Sequence, residues 1–556
     1  MEQKKRQHQS FEYGAAILVV ATMLVKVIGA VFKIPLSSLI GTLGFGYFTS
    51  AYDLFLPIYS LAMAGLPIAI SRMVAENVAK KQFNDVKQTL RISRIAFLVS
   101  GAVGFVIMAI ATVVFFNITG DGRTLPSILV IAPSILFCCV MSVYRGYYEG
   151  MRNMTPTAVS NVIEALGKLI LGLGFAFLVI KIRGDLTPET ASLAAAGAML
   201  GITVGTALGA LYLVIKFKKD NGLISAEEYA ASPLAKSGKQ TLKILITIAI
   251  PIALGSLAQN VASLIDVTMV KGLIADDAEI VKGIYSSLIG SEISTDADVA
   301  NFLYGVRGQA FTLFNLIPTI TSVMGVSALP VLATSWTNGD RAEVKKNMSS
   351  IIKLTSLIAL PAGVGLAFLG GPVMSLIYGT EEAVLIGGPM LTVFGVAAVF
   401  SGLAMPLTNM LQAIGKQIVP VINIAIGAVV KIVVNFILVG NPEINILGSA
   451  IGTLCCYLYI AVANFICLVK FTKTMPNLVS GFVKPLVSAL CCGMSALGVT
   501  VLLNGGKIPT ILGVAVAAMV YFVVLILLRG IDKEDVCAFP KGEKISKILE
   551  KLHIIR

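Results

Sequence analysis

Apolar runs long enough to cross a membrane recur along the chain, and short polar segments separate them. Because a helix of about 20 residues crosses a hydrocarbon core of about 30 Å, the pattern predicts an all-α polytopic membrane protein with fourteen spans. The predicted spans are roughly 14–40, 46–74, 92–117, 125–149, 157–181, 190–216, 242–272, 303–334, 348–370, 383–413, 418–439, 447–470, 480–503 and 509–529.

The composition agrees with this class. Of the 556 residues, 56% are hydrophobic and 13% are charged, whereas soluble proteins have about 25% charged residues. The net charge of +13 fits basic cytoplasmic loops. Since no compact basic domain with interleaved aromatic residues is present, we predict no nucleic-acid partner. Only His8 and His553 occur, and no C-x-x-C pair is present, so we predict no metal, no cofactor and no histidine-based catalytic site.

Charge also predicts the orientation. With the N-terminus inside, most of the 43 Lys and Arg residues fall in the tail, the inner loops and their flanks, so both termini are predicted to be cytoplasmic. The loop 273–302 is acidic and would lie outside. The same rule makes the N-terminal apolar run a retained span, because it is too long for a signal peptide.

Two pairs of similar segments indicate an internal repeat. AMAGLPIAIS, ending at Ser71, resembles VMGVSALPVLAT, ending at Thr334, and YYEGMRNMTPTAVSNVIEALGKLI resembles MLQAIGKQIVPVINIAIGAVVKIV. Six spans separate the copies, so the two halves have the same orientation, as in a parallel repeat. We predict two bundles of six helices, 1–220 and 242–470, joined by a cytoplasmic linker, 221–241, and followed by two further helices, 471–530.

The last segment, 531–556, is predicted to be cytoplasmic and amphipathic. Ile545, Ile548, Leu549 and Leu552 would share one helical face, and the opposite face is basic. Such a helix lies on the membrane surface and is attracted to anionic lipid. The alternative is a tail that only improves solubility.

The stretch from Val25 to Arg72 carries Lys26, Lys33 and Asp53 inside apolar runs. A charge at membrane depth costs about 2.5–3.5 kcal/mol on insertion scales, so such residues are functional candidates. Lys26 and Lys33 are seven residues apart and share a helical face. Lys26 is expected to face a cavity, whereas Lys33 and Asp53 could form a structural pair or a gate.

Two further lysines lie near the centres of spans. Lys168 follows Glu164 by one turn on the same face, and Lys431 occupies nearly the equivalent place in the second half. Lys26, Lys168 and Lys431 facing one cleft would form an anion site, because lysine binds phosphate as a point charge. Glu164 and Lys168 could instead neutralise each other.

A second set of charged residues lies near the ends of spans, where they could receive a head group or form gates. They could equally anchor helix ends. The set is Arg72, Arg145, Glu149, Arg152, Asp266 and Arg307.

The opening K-x-x-G-x-x-x-K-I-P-L from Lys26 to Leu36 and YYEGMRNMTPTAVSNVIE from Tyr147 to Glu164 resemble the stage V sporulation protein B-like polysaccharide and lipid II flippases. These are relatives of the MurJ-type flippases in the multidrug/oligosaccharidyl-lipid/polysaccharide exporter superfamily. The resemblance implies a bacterial plasma-membrane transporter, not an enzyme, with two bundles around a cavity. It also implies outward movement of an undecaprenyl-diphosphate-linked sugar by alternating access. Lys26 matches the family's basic residue in span 1, but Asp53 departs from the family's further arginines.

The sequence thus favours a flippase for a lipid-linked oligosaccharide, and lipid II is the favoured substrate. Sodium or proton is the candidate coupling ion. Teichoic or capsular units are alternative substrates. A cation-coupled multidrug exporter is the other alternative. Lys26, Lys33, Lys168 and Lys431 in the spans, against Asp53, Glu164 and Asp266, oppose the acidic cavity it would need. A membrane glycosyltransferase is disfavoured, because the loop 273–302 is too short for a catalytic domain.

Overall fold

The computed structural model describes residues 11–63, 65–220 and 223–530. Every regular element in these residues is helical, which confirms the all-α prediction. The predicted amphipathic tail, 531–556, and the first ten residues lie outside the described part of the chain.

Contacts divide the chain into two units, Met1–Gly305 and Val306–Arg556, called here the N-terminal and C-terminal units. The division falls later than the linker 221–241 predicted from the repeat, because helices that follow the linker pack on helices that precede it. The repeat boundaries describe sequence symmetry and stay a prediction.

In the described residues, the N-terminal unit contains eleven whole helices and the first part of a twelfth. They are α1 (Phe11–Met63), α2 (Gly65–Ala79), α3 (Phe83–Thr119), α4 (Leu125–Ile131), α5 (Ser134–Gly150), α6 (Thr155–Arg183), α7 (Pro188–Lys219), α8 (Ala226–Ala230), α9 (Gly238–Ile265), α10 (Lys271–Asp276), α11 (Ala278–Ile284) and α12 (Asp296–Phe314). A π-helical turn, Asp266–Val270, joins α9 to α10.

The C-terminal unit begins within α12. It continues with α13 (Leu316–Thr337), α14 (Arg341–Phe368), α15 (Gly370–Ile377), α16 (Gly388–Ala413), α17 (Ile418–Val439), α18 (Ile446–Thr472), α19 (Lys484–Leu502) and α20 (Lys507–Leu527). Within this unit α18 packs on both α16 and α17, and α19 packs on α14 and α20.

Eleven stretches of the described residues are long and apolar enough to span a membrane. The first, Val20–Ala79, covers two predicted spans, which meet near Gly41, where φ of +71° breaks the helix. The predicted spans 242–272 and 303–334 contain side chains that are not described. The exact number of fourteen therefore stays a prediction.

The packing of α6 on α7 shows why small residues matter in these helices. A Cβ added to Gly167 would lie 2.6 Å from the Cα of Gly205, and one added to Gly201 would lie 2.2 Å from the backbone nitrogen of Gly172. The two backbones therefore touch, as is typical of membrane helices with small residues at the interface. This contact fixes the face that α6 presents to the rest of the unit.

Candidate functional site

A cavity of about 290 Å³ lies inside the N-terminal unit. Its wall combines apolar side chains with a few polar and charged ones, as ligand pockets do. The lining residues come from α1, α5, α6 and α7, and they are Thr22, Val25, Ile28, Gly29, Tyr52, Phe55, Leu56, Tyr59, Cys138, Arg145, Asn161, Glu164, Ala165, Lys168, Ile202 and Thr206.

Helix α6 supplies three polar side chains to this cavity, and two of them are charged. Asn161, Glu164 and Lys168 line it, and spacings of three and four residues put them on one helical face. The ammonium nitrogen of Lys168 lies 4.8 Å from the centre of the Tyr52 ring and 5.4 Å from that of Phe32. Aromatic faces stabilise a cation by cation–π attraction, so these rings hold Lys168 towards the cavity.

Arg145 joins the same site. Its Nη2 lies 3.0 Å from Oε2 of Glu164, and its Nε donates a hydrogen bond of 3.0 Å to Oγ of Ser160. The sequence suggested a Glu164–Lys168 pair and assigned Arg145 to a gate. In the structure Glu164 pairs with Arg145 and also attracts Lys168. We call Arg145, Glu164 and Lys168 the cavity triad.

Lys33 and Asp53 lie beside this cavity. The ammonium nitrogen of Lys33 is 5.1 Å from the centre of the Tyr52 ring, the ring that Lys168 also contacts. Asp53 is buried, and its Oδ2 accepts a hydrogen bond of 2.7 Å from the hydroxyl of Tyr304. Lys33 and Asp53 also attract each other electrostatically, and their role as a structural pair or a gate stays a prediction.

Lys26 lies at the rim of the cavity. Its side chain is exposed and is not among the cavity-lining residues in the part of the chain that the structure describes. Thr22 and Gly29, four residues before it and three after it, do line the cavity. The helical face that carries Lys26 therefore borders the cavity.

Lys431 belongs to the C-terminal unit. It is buried on α17 together with Asn435, one turn later, and Gly452 of α18 leaves room for the Asn435 side chain, since an added Cβ would lie 2.0 Å from its Oδ1. The predicted meeting of Lys431 with Lys26 and Lys168 in one cleft stays a prediction.

The other predicted charges have varied surroundings. Arg72 is exposed and pairs with Glu76 at 3.0 Å on α2, Arg152 is exposed, and Glu149 is half-buried. Asp266 is buried at the π-helical turn. Arg307 is also buried, with its guanidinium 4.9 Å from the centre of the Phe311 ring.

Sequence reasoning missed the most completely buried charge pair in the described N-terminal unit. Nζ of Lys271 lies 2.5 Å from Oδ2 of Asp121 and donates hydrogen bonds to Asn301 at 2.7 Å and to Ser50 at 3.1 Å. Lys271 and Asn301 are 0% exposed, and so is Ser50. We call Lys271, Asp121, Asn301 and Ser50 the sealed cluster.

The sealed cluster ties α1, α10 and α12 to the loop before α4. Burial would raise the pKa of the Asp121 carboxyl, but the Lys271 ammonium and hydrogen bonds from Thr124 and Asn301 hold that pKa below its ordinary value. A second ion pair, between Asp298 and Arg123, lies near the sealed cluster. Asp298 also accepts a hydrogen bond of 2.5 Å from the hydroxyl of Tyr47. The one feature of the sequence that could have indicated this cluster is Lys271 at the end of an apolar run.

No group of three or more metal-ligating side chains occurs in the residues that the structure describes. Two cations, a carboxylate and hydroxyl or amide groups line one cavity.

Comparison with known proteins matches both parts of the chain to protein families. The model described as "Polysaccharide biosynthesis protein" matches residues 13–290, and the model "Lipid II flippase MurJ" matches residues 306–524. Together they cover most of the chain, so the resemblance that the sequence motifs predicted is confirmed.

Two relatives from Bacillus subtilis (strain 168) are similar over most of their length. Stage V sporulation protein B is 26% identical over 542 residues, covering 96% of this chain and 98% of that protein. Lipid II flippase MurJ is 25% identical over 461 residues, covering 80% and 81%.

Solved structures show the same fold. The inward closed conformation of lipid II flippase MurJ matches with a TM-score of 0.63 and 15% identity, covering 92% of this chain and 99% of that one. An inward-facing multidrug resistance MATE family transporter of the MOP superfamily matches with a TM-score of 0.62 and 16% identity, covering 83% and 98%. The chain therefore shares the fold of these two transporters.

Proposed function

Because the chain belongs to the polysaccharide biosynthesis protein family, we propose that it is a flippase for an undecaprenyl-diphosphate-linked sugar precursor, with lipid II as the substrate we favour. It would move the precursor from the inner to the outer leaflet of a bacterial plasma membrane by alternating access, with both termini in the cytoplasm. The names of the relatives support the substrate class.

The observation that carries this proposal is the cavity triad. Arg145 and Lys168 place two positive charges against the single carboxylate of Glu164 in one cavity. Charge-assisted hydrogen bonds from guanidinium and ammonium groups are the strong contacts that proteins use for phosphate. A diphosphate bridging a lipid and a sugar offers several such acceptors, and Asn161 and Thr206 on the same wall are suited to sugar hydroxyls.

We assign the remaining charges supporting roles. Lys26 at the rim would attract the diphosphate first, and Lys33 with Asp53 would hold Tyr52 and Tyr304 in place around the site. Lys431 would contribute from the C-terminal unit. Arg72, Glu149, Arg152, Asp266 and Arg307 would act at gates or at head-group entry, and anionic lipid would attract the tail.

Alternating access requires helices that bend. Helix α1 contains Pro35 and Pro57 and a break at Gly41, and proline removes a helical hydrogen bond and permits a kink. Since α1 also carries the rim residue Lys26 and the cavity residue Tyr52, a change in its bend would move both. Coupling to a sodium or proton gradient would be a further part of the proposal.

A second function, export of amphiphilic drugs, has the support of the shared MATE fold alone. The cavity triad has more positive than negative charge, which disfavours cationic drugs. Drug-resistance profiling of an overexpressing strain tests this alternative.

The deciding experiment is complementation in cells whose own lipid II flippase can be switched off. The measurement is the amount of precursor that an impermeant external reagent can reach. We expect the wild-type chain to restore exposure and Lys26→Ala to reduce it about tenfold, the equivalent of about 1.4 kcal/mol. Lys80→Ala, at the exposed position directly after α2, is the matched control.

Absence of restored exposure, with the protein present in the membrane, would contradict lipid II as the substrate. The same assay with teichoic or capsular precursors would then identify the lipid-linked sugar. Full exposure with Lys26→Ala, at normal expression, would contradict the role of Lys26.

A further inference from the structure

Glu164 places a carboxylate in the wall of a cavity that we propose binds an anion. Its Oε2 lies 3.0 Å from Nη2 of Arg145, and it attracts Lys168 one turn further along α6. Its side chain is 25% exposed, against 10% for the side chain of Arg145. The carboxylate is therefore the more accessible member of this ion pair.

Arg145 is held in place by contacts other than Glu164. Its Nε donates a hydrogen bond of 3.0 Å to Oγ of Ser160, and its Nη2 lies 3.3 Å from Sδ of Met141. The residue as a whole is 8% exposed. These contacts would keep the guanidinium aimed at the cavity after the carboxylate had left.

Carboxylate and phosphate oxygens accept the same hydrogen bonds from a guanidinium group. A cation removed from water is costly without an anion beside it, so an empty cavity needs an internal anion near Arg145 and Lys168. Building on the proposed function, we propose that Glu164 is a place-holding carboxylate that neutralises Arg145 and Lys168 in the empty cavity and is displaced by the diphosphate of the substrate.

This role makes Glu164 a specificity-determining residue. A ligand with one negative charge would only replace the charge of Glu164, whereas a diphosphate brings more charge and displaces it with a net gain. The return of Glu164 to Arg145 would then help to release the diphosphate. Competition of this kind lowers affinity and favours turnover.

The test measures binding of inorganic pyrophosphate to the full chain in nanodiscs by titration calorimetry. We expect Glu164→Gln to bind pyrophosphate about tenfold more tightly than wild type, because a neutral amide no longer competes. The gain should disappear in the double variant Glu164→Gln/Arg145→Gln. Glu189→Gln, which removes an exposed carboxylate at the start of α7, is the matched control and should leave binding unchanged.

The opposite result has a clear meaning. If Glu164 only orients Arg145, Glu164→Gln will bind pyrophosphate more weakly or with unchanged affinity, and the inference is overturned. Should Glu164→Gln fail to fold, Glu164→Asp provides the second variant. It keeps the charge but withdraws it from Arg145, so we expect tighter binding by a smaller factor, and unchanged binding would again overturn the inference.

A parallel titration with undecaprenyl diphosphate in the nanodisc distinguishes a lipid head group from a free anion. Tighter binding of either probe by Glu164→Gln supports the place-holding role, and the probe that responds identifies the source. A wild-type chain that binds neither probe contradicts the proposed function itself. A wild-type chain that binds, with no gain in Glu164→Gln, contradicts this inference alone.

Discussion

The sealed cluster and the cavity triad use the same kinds of side chain in the same unit, yet their surroundings differ. In the sealed cluster, the ammonium of Lys271 is 0% exposed and has one carboxylate and two neutral acceptors around it. In the cavity triad, two cations share the carboxylate of Glu164, which is partly exposed. A charge that is fully paired and buried stabilises one arrangement of helices, whereas a partly paired charge at a cavity can exchange partners.

The largest effect is expected from breaking the sealed cluster. Lys271→Met keeps most of the length of the side chain but leaves Asp121 buried without its cation, so we expect a loss of about 3–5 kcal/mol in the free energy of unfolding. Unfolding of the purified protein in detergent, followed against denaturant concentration, measures this loss. The exposed Lys239→Met on α9 is the control.

The double variant Lys271→Met/Asp121→Asn sharpens this result. Since it removes both charges, we expect it to recover part of the lost stability. A loss below about 1 kcal/mol for Lys271→Met alone would mean that the sealed cluster is no more important than a surface ion pair.

A smaller effect on stability but a clear effect on transport is expected at the cavity triad. Lys168→Gln removes one of the two cations, so we expect transport to fall about tenfold, the equivalent of about 1.4 kcal/mol, with little change in unfolding. The exposure assay in flippase-depleted cells measures this, with Lys181→Gln at the exposed end of α6 as control. Unchanged transport at equal expression would exclude Lys168 from the site.

The smallest effect is expected from mild acid acting on the sealed cluster. The pKa of Asp121 in the folded protein is lowered, and that of an unfolded aspartate is about 3.9. The stability from Asp121 is therefore present above about pH 4 and is lost as the pH falls through the lower folded value. We expect no Asp121-dependent change in unfolding temperature between pH 7 and pH 5, and comparison with Asp121→Asn checks this.

A loss between pH 7 and pH 5 that Asp121→Asn abolishes would contradict the lowered pKa. It would also weaken the contrast between the two regions, because the sealed cluster would then behave as a titrating switch and not as a fixed support.

The sequence by itself determined the all-α membrane class, the family resemblance and the candidate charges in α1 and α6. These follow from local properties, since the length of an apolar run, the cost of a buried charge and helical spacing are readable along the chain. Lys168 and Glu164 were recognised for that reason, and both line the cavity.

Only the tertiary structure decided which charges meet. Glu164 pairs with Arg145 from α5, and Lys271 pairs with Asp121 from a loop 150 residues away in sequence. Helical periodicity relates residues within one helix, but it contains no information about which neighbouring helix packs against that face. Close backbone contacts such as Gly167 against Gly205 set those neighbours, and so the packing of the helices, not the pattern along the chain, separates a sealed cluster from a cavity.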